Sequence, residues 1–219
     1  MELGIFPLNN VLFPGLRLPL QVFEPRYKKL MGRVLGADGR FGIVLIRRGL
    51  EVGGPAEPFG VGTVARVVEA EREPGGRLKV LVRGEGRFRL RTVRVHPDGY
   101  LVGQVELLPD RPEDPGPLAA LARQLRDLYL GYLRGLAGFI PFEGKLLPED
   151  PADLAYRVAA ALPIDPAEKQ RLLELDRAGQ RLAAEVRLLR RERALADRLG
   201  YLGGRPPGDL SQSLAGRQN

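Results

Sequence analysis

The sequence predicts an α+β fold, a closed or nearly closed β-sheet followed by a helical bundle, and three observations carry that expectation. From Leu3 to Leu108 the apolar residues fall in short alternating or continuous runs separated by Gly and Pro, as strands require. Beyond Pro117 they recur every three or four residues, which is helical spacing. Between the two lies Pro109 to Pro117, with four Pro, one Gly and three acids among nine residues, a composition that suits neither element. The expected divisions are a β subdomain over 1–108, a linker over 109–117, a helical subdomain over 118–200 and a loose tail over 201–219. The tail, GGRPPGDLSQSLAGRQN, has few large apolar groups to bury.

The strand runs are Leu3 to Leu8, Leu16 to Phe23, Phe41 to Ile46, Val61 to Ala70, Leu78 to Val82, Phe88 to Val95 and Tyr100 to Leu108. Turns are expected at Pro14-Gly15, Gly53-Gly54-Pro55, Gly75-Gly76, Gly84-Glu85-Gly86 and Pro97-Asp98-Gly99. Closure of the sheet would remove the exposed edges that such hairpins otherwise leave. One helix interrupts this half: Pro25 suits a first helical position, and Tyr27, Leu30, Met31, Val34 and Leu35 repeat helically before Gly36. In the second half, Leu118, Leu121, Leu125, Leu128, Tyr132 and Leu136 form one stripe. Asp150-Pro151 and Asp165-Pro166 open the next two helices as cap and first residue, with Glu168 at capping-box spacing. A last helix, from about Arg177 to Leu199, sets Leu182, Val186 and Leu189 against many Arg and Glu. Its narrow apolar stripe and charged flanks would suit a coiled-coil partner face, but packing within the chain is the expected account.

Composition removes whole classes of chemistry. The 219 residues include no Cys, so no thiol nucleophile, disulfide or thiolate metal site is available. With a single histidine, His96, zinc sites built on two or three imidazoles are removed, and any relay that needs a separate imidazole base could rest only on that residue. No phosphate-cradling GxxxxGK[ST] motif occurs, and Gly84-Glu85-Gly86 lacks the third Gly and following helix of a dinucleotide fingerprint. No cofactor or metal is therefore expected. The start, MELGIFPLNNVLFPG, lacks the basic flank and long apolar stretch of a secretory signal, and no run is long enough to span a bilayer, so a cytoplasmic location is expected. Arg outnumbers Lys by 29 to 5, a bias that both a GC-rich genome and life at high temperature produce.

The formal charge of +7 sits almost wholly in the β half, where 17 basic and 11 acidic residues leave +6 over 1–108, against 17 and 16 over 109–219. Arg87, Arg89 and Arg91 alternate along one strand face. A phosphate-binding stripe and a solvated face neutralised by acids across the sheet both fit that pattern; the lack of aromatic stacking platforms favours the solvated face. Glu69, Glu71 and Glu73 share the same period and are expected on a wet strand face. Glu24 and Arg26 flank Pro25 and are explained by a cap and an ion pair at the helix entry. His96, beside Pro-Asp-Gly, is expected in a surface turn.

The opening IFPLNNVLFPGLRLPLQVFEPRYKKLM resembles the start of the Lon protease N-terminal domain, the substrate-recognition region of that ATP-dependent protease. FGVGTVARVVEAEREPGGRLKVLVRGEGRFRL resembles the family's later VGT strand, hairpin and GxxRF strand, and DPADLAYRVAAALPIDPAEKQRLLELD its helical part. The resemblance implies a PUA-like β-barrel with one inserted helix, followed by a C-terminal helical bundle. Full Lon proteases continue into ATPase and Ser/Lys protease domains, for which two subdomains in 219 residues leave no room. The VFEPRY form of the first motif looks more like stand-alone family members.

The resemblance and the missing catalytic set lead to the expectation of a non-enzymatic module that engages unfolded or partly folded polypeptide, or a protein partner, through apolar surface. Phe13, Leu16, Phe139, Ile140 and Phe142 are the candidate contacts, because loop apolars beside Pro or Gly are less readily assigned to a core than periodic ones. The alternative is an RNA-binding protein, since PUA-like barrels in other families bind RNA; Arg83, Arg87, Arg89, Arg91 and Arg94 would then contact phosphates. The oligomeric state is left open.

Overall fold

Short alternating runs cannot bury an apolar face alone, and the chain solves this by pairing them into one mixed sheet of six strands. The computed structural model describes residues 1–54, 56–137 and 147–198. In chain order the elements are β1 (Glu2–Leu8), β2 (Arg17–Val22), α1 (Pro25–Leu35), β3 (Arg40–Gly49), β4 (Ala56–Arg72), β5 (Leu78–Val95) and β6 (Leu101–Leu107), then α2 (Pro115–Ala137), α3 (Pro151–Ala161), α4 (Pro166–Glu174) and α5 (Ala178–Arg198). The expectations for Pro55, for Phe139, Ile140 and Phe142, and for the tail over 201–219 lie outside the described residues.

The strand order is β2-β5-β4-β3-β1-β6, and β5 pairs with β6 as well, so the circuit β5-β4-β3-β1-β6 returns to its start. Only β1 and β3 run parallel. The length of β5 makes this possible: Leu78 to Arg83 pair with β2, while Phe88 to Val95 pair with β6. Strand β2 hangs on β5 by one edge and has no strand on the other among the described residues.

The seven runs become six strands because Gly84-Glu85-Gly86 is not a hairpin, a correction with a steric reason. Gly84 lies inside β5 at a register shift, where a Cβ would sit 2.4 Å from the Phe13 carbonyl oxygen. There Gly84 N donates to Leu16 O at 2.8 Å and Gly15 N donates to Gly84 O at 2.9 Å. The glycine serves a close backbone approach, and the β4–β5 turn falls at Gly75 and Gly76, both with positive φ. Helix α1 occupies its expected residues and buries Tyr27, Leu30, Met31 and Val34 in one cluster with Phe6, Phe41 and Val80, whereas Leu35 is exposed.

The chain forms two compact units, and they do not follow the expected division. The first comprises Met1–Pro112 and Tyr156–Ala178; the second comprises Glu113–Ala155 and, among the described residues, 179–198. Helix α4 and the end of α3 thus belong with the sheet. Side chains reaching distant backbone explain it: Gln170 donates to Val61 O at 3.0 Å, and Arg87 donates to Leu173 O at 2.8 Å. Sequence periodicity cannot register bonds of that kind. In the second unit α2 starts at Pro115, inside the expected linker, because Asp114 accepts from Gly116 N at 3.0 Å and proline tolerates a first turn. Leu125, Tyr129 and Tyr132 of α2 and Leu182, Val186 and Leu189 of α5 are buried.

Candidate functional site

Strand β2 alternates as a half-buried strand should: Leu20 and Val22 are buried and Leu18 half-buried, while Arg17, Pro19 and Gln21 are exposed. Phe23 breaks the pattern. It is apolar in the polar phase, 46% exposed, and sits immediately before the α1 entry at Glu24. After β3 the chain presents two more exposed aliphatics, Leu50 and Val52, the latter 51% exposed.

Two acids fasten these segments together. Glu24 makes no side-chain cap to α1, a correction to the expected cap; the expected ion pair is present, with Arg26 Nη2 at 2.9 Å from its carboxylate. Glu24 also accepts from Gly53 N at 3.3 Å, and Arg26 Nη1 donates to Gly54 O at 3.2 Å. Glu51 accepts from Asn9 N at 2.9 Å. The Arg26 guanidinium lies 4.7 Å from the centre of the Tyr27 ring, which itself stacks on Phe6 at 4.2 Å. Burial pushes the Tyr27 hydroxyl above its ordinary pKa, so it stays protonated at neutral pH.

The result is a groove of about 370 Å³ running along β2, with buried Phe6, Leu8, Leu20, Val22 and Tyr27 beneath and Phe23 and Val52 at its rim. Among the described residues the charged ones lining it are Glu24, ion-paired to Arg26, and Glu51. Such a site suits apolar side chains on an uncharged or basic segment and disfavours phosphate.

The expected contacts fare differently. Phe13 is fully buried, with its ring 6.0 Å from Tyr156, and is a core residue with no surface to offer; its neighbours Pro and Gly mark the close approach to β5, not a contact loop. Leu16 is half-buried and packs against the core around α1. Of the arginines, Arg87 is a second correction: only 3% exposed, it bonds Leu173 O, Leu175 O and Asp110 and can reach no phosphate. It is also no part of a solvated face, because its guanidinium is held at the C-terminal end of α4. Arg91 pairs with Glu106 and Arg94 lies 3.1 Å from Glu2, while Arg83 and Arg89 are exposed. His96 Nδ1 accepts from Asp98 N at 3.1 Å and its ring stacks on Tyr100, which makes it a hairpin residue. Glu69 and Glu71 are exposed. Phe23, Leu50 and Val52 were missed; the available signals were Phe23 out of phase in β2 and two aliphatics inside a Gly-rich loop.

Among the described residues no group of three His, Asp or Glu side chains could hold a metal ion, and no helix is long and apolar enough to cross a membrane.

Among the described residues the chain thus combines a sheet whose circuit closes, helices after it, and an apolar groove along β2. The model of the ATP-dependent protease La (LON) substrate-binding domain matches residues 2–191, and the chain belongs to that family. It is similar to the crystal structure of a Lon N-terminal domain protein from Xanthomonas campestris, 29% identical with a TM-score of 0.60 over 90% of this chain and 98% of that one. The N-terminal domain of Mycobacterium avium complex Lon protease shares the fold, at 23% identity and a TM-score of 0.68 over 87% and 98%. Among full proteins, Lon protease of Xanthomonas oryzae is 31% identical over 195 residues, 86% of this chain and 23% of its own length. The chain thus spans about a quarter of that relative. Protein cereblon of Danio rerio is 26% identical over 83% of this chain and 53% of its own length.

Proposed function

We propose that this chain is a non-enzymatic recognition module that holds unfolded or partly folded polypeptide, or an exposed segment of a protein partner, in the groove along β2. The observation that carries the reading is the pairing of exposed Phe23 and Val52 with a buried apolar floor and, among the described residues, no lining cation. Membership of a substrate-binding family supports it. The closed strand circuit supports describing the first unit as a PUA-like barrel, and the buried stripes of α2 and α5 support a helical bundle in the second. On this reading the described residues bind polypeptide and do no chemistry on it, and the module works in the cytoplasm. Adaptable aliphatic and aromatic contacts would give such a groove broad, modest affinity.

RNA binding draws less support, since Arg87 is buried and Arg91 and Arg94 are paired with carboxylates. Fluorescence anisotropy separates the two. Labelled casein fragments are expected to bind saturably with little dependence on salt, and structured RNA is expected not to bind at low salt. Salt-sensitive RNA binding without casein binding would reverse the assignment.

A further inference from the structure

The edge of β2 adds a second recognition element to the groove. Leu16 O accepts from Gly84 N of β5, which fixes the parity of the antiparallel ladder: Leu18, Leu20 and Val22 turn their backbone groups toward β5. Arg17, Pro19 and Gln21 therefore turn theirs to the opposite side, where no strand lies among the described residues. The position of Pro19 agrees, because a proline opposite β5 in a bonding position would remove a ladder donor. The groove runs along this same strand from Leu18 to Phe23.

The geometry points to strand addition: an extended polypeptide segment pairs with the outer edge of β2 while its alternate apolar side chains enter the groove. This rests on the groove being the binding surface. Arg17 and Gln21 each offer an N–H and a C=O, and Pro19 offers only its C=O. The edge is open yet one donor short, which discourages pairing with further copies of itself while leaving room for a guest. Most of the bonding is to the guest's backbone, so the site accepts many sequences. Its charge sets the preference. With Glu24 neutralised by Arg26, Glu51 is the lining acid that no cation pairs among the described residues, and the favoured guest carries Lys or Arg beside its apolar residues.

The test uses the full chain and a fluorescein-labelled peptide of alternating valine and threonine ending in lysines. Pro19→Ala restores the missing donor and is expected to tighten binding about threefold or more, while Gln21→Pro removes a donor that faces away from β5 and is expected to weaken it about tenfold. Peptides N-methylated on one set of alternate amides should lose binding and those methylated on the other set should keep it. Replacing the lysines by glutamates should weaken binding at low salt, and Glu51→Gln should erase that difference. Should Gln21→Pro fail to fold, Pro19→Ala and the methylated peptides still decide. Equal affinity for all of these, with binding still lost in Phe23→Asp, would leave the groove as the site and overturn strand addition. No peptide binding by any form would overturn both. Concentration-dependent dimers broken by Gln21→Pro, with no peptide bound, would assign the edge to a second copy and overturn the proposal.

Discussion

Arg87 of β5 donates to the carbonyl oxygen of Leu173 at 2.8 Å, across 86 residues of sequence, and this contact places the last turn of α4 on the sheet. The same guanidinium bonds Asp110 at 2.6 Å and the Leu175 carbonyl. A guanidinium fits the task because its planar fork serves several acceptors at once, which a lysine ammonium cannot.

Removing that side chain takes a charged donor from the Leu173 and Leu175 carbonyls and from the Asp110 carboxylate, which keeps the Tyr156 hydroxyl at 3.4 Å. Arg87→Ala is expected to cost about 3–5 kcal/mol, and Arg87→Lys most of that. Urea denaturation followed by circular dichroism measures it; a loss under about 1 kcal/mol would show that the clasp is dispensable.

The two glycines of the Gly-Glu-Gly stretch should behave oppositely. Gly84→Ala forces a Cβ against the Phe13 carbonyl and is expected to destabilise by about 1–3 kcal/mol, whereas Gly86 has nothing within 4 Å of the added atom and should tolerate alanine within about 0.5 kcal/mol. Thermal melting of the two variants side by side checks this. Equal effects would restore the turn that the residue pattern alone implies.

Glu185 on α5 is fully buried, and desolvation holds its carboxyl well above the usual pKa, with Arg181 pulling it back only in part. The folded state therefore binds this proton more tightly than the unfolded state, whose value stays near 4.5. Stability contributed here is complete below that value and is lost as pH rises toward the folded pKa. Wild-type stability is expected to fall over that range and Glu185→Gln to flatten the profile, as read from urea midpoints at several pH values. A variant that keeps the wild-type slope would place the titration elsewhere.

Much of the fold was legible because local chemistry decides it. Pro25 and the Tyr27, Leu30, Met31 and Val34 spacing set α1 to its residue, and Asp165 caps α4 through Ala167 N at 2.7 Å. Periodicity failed where tertiary partners override a local period. Arg87, Arg89 and Arg91 read as one face, yet the C-terminal end of α4 holds the first while the other two are exposed. Gly84 read as a turn because sequence cannot show which backbone will approach it. The groove drew on β1, β2, α1 and the loop after β3, and no single segment announced it. Phe23, out of step with its strand, and the two aliphatics of the Gly-rich loop after β3 marked it.

The most direct test of the account is the affinity of a labelled unfolded polypeptide for the wild-type chain and for the Phe23→Asp, Val52→Asp double variant, with melting temperatures compared to confirm folding. Both side chains are about half exposed, so the variant should melt within a few degrees of wild type while binding falls at least tenfold. An equally stable variant that binds as tightly as wild type would contradict the groove as the recognition surface.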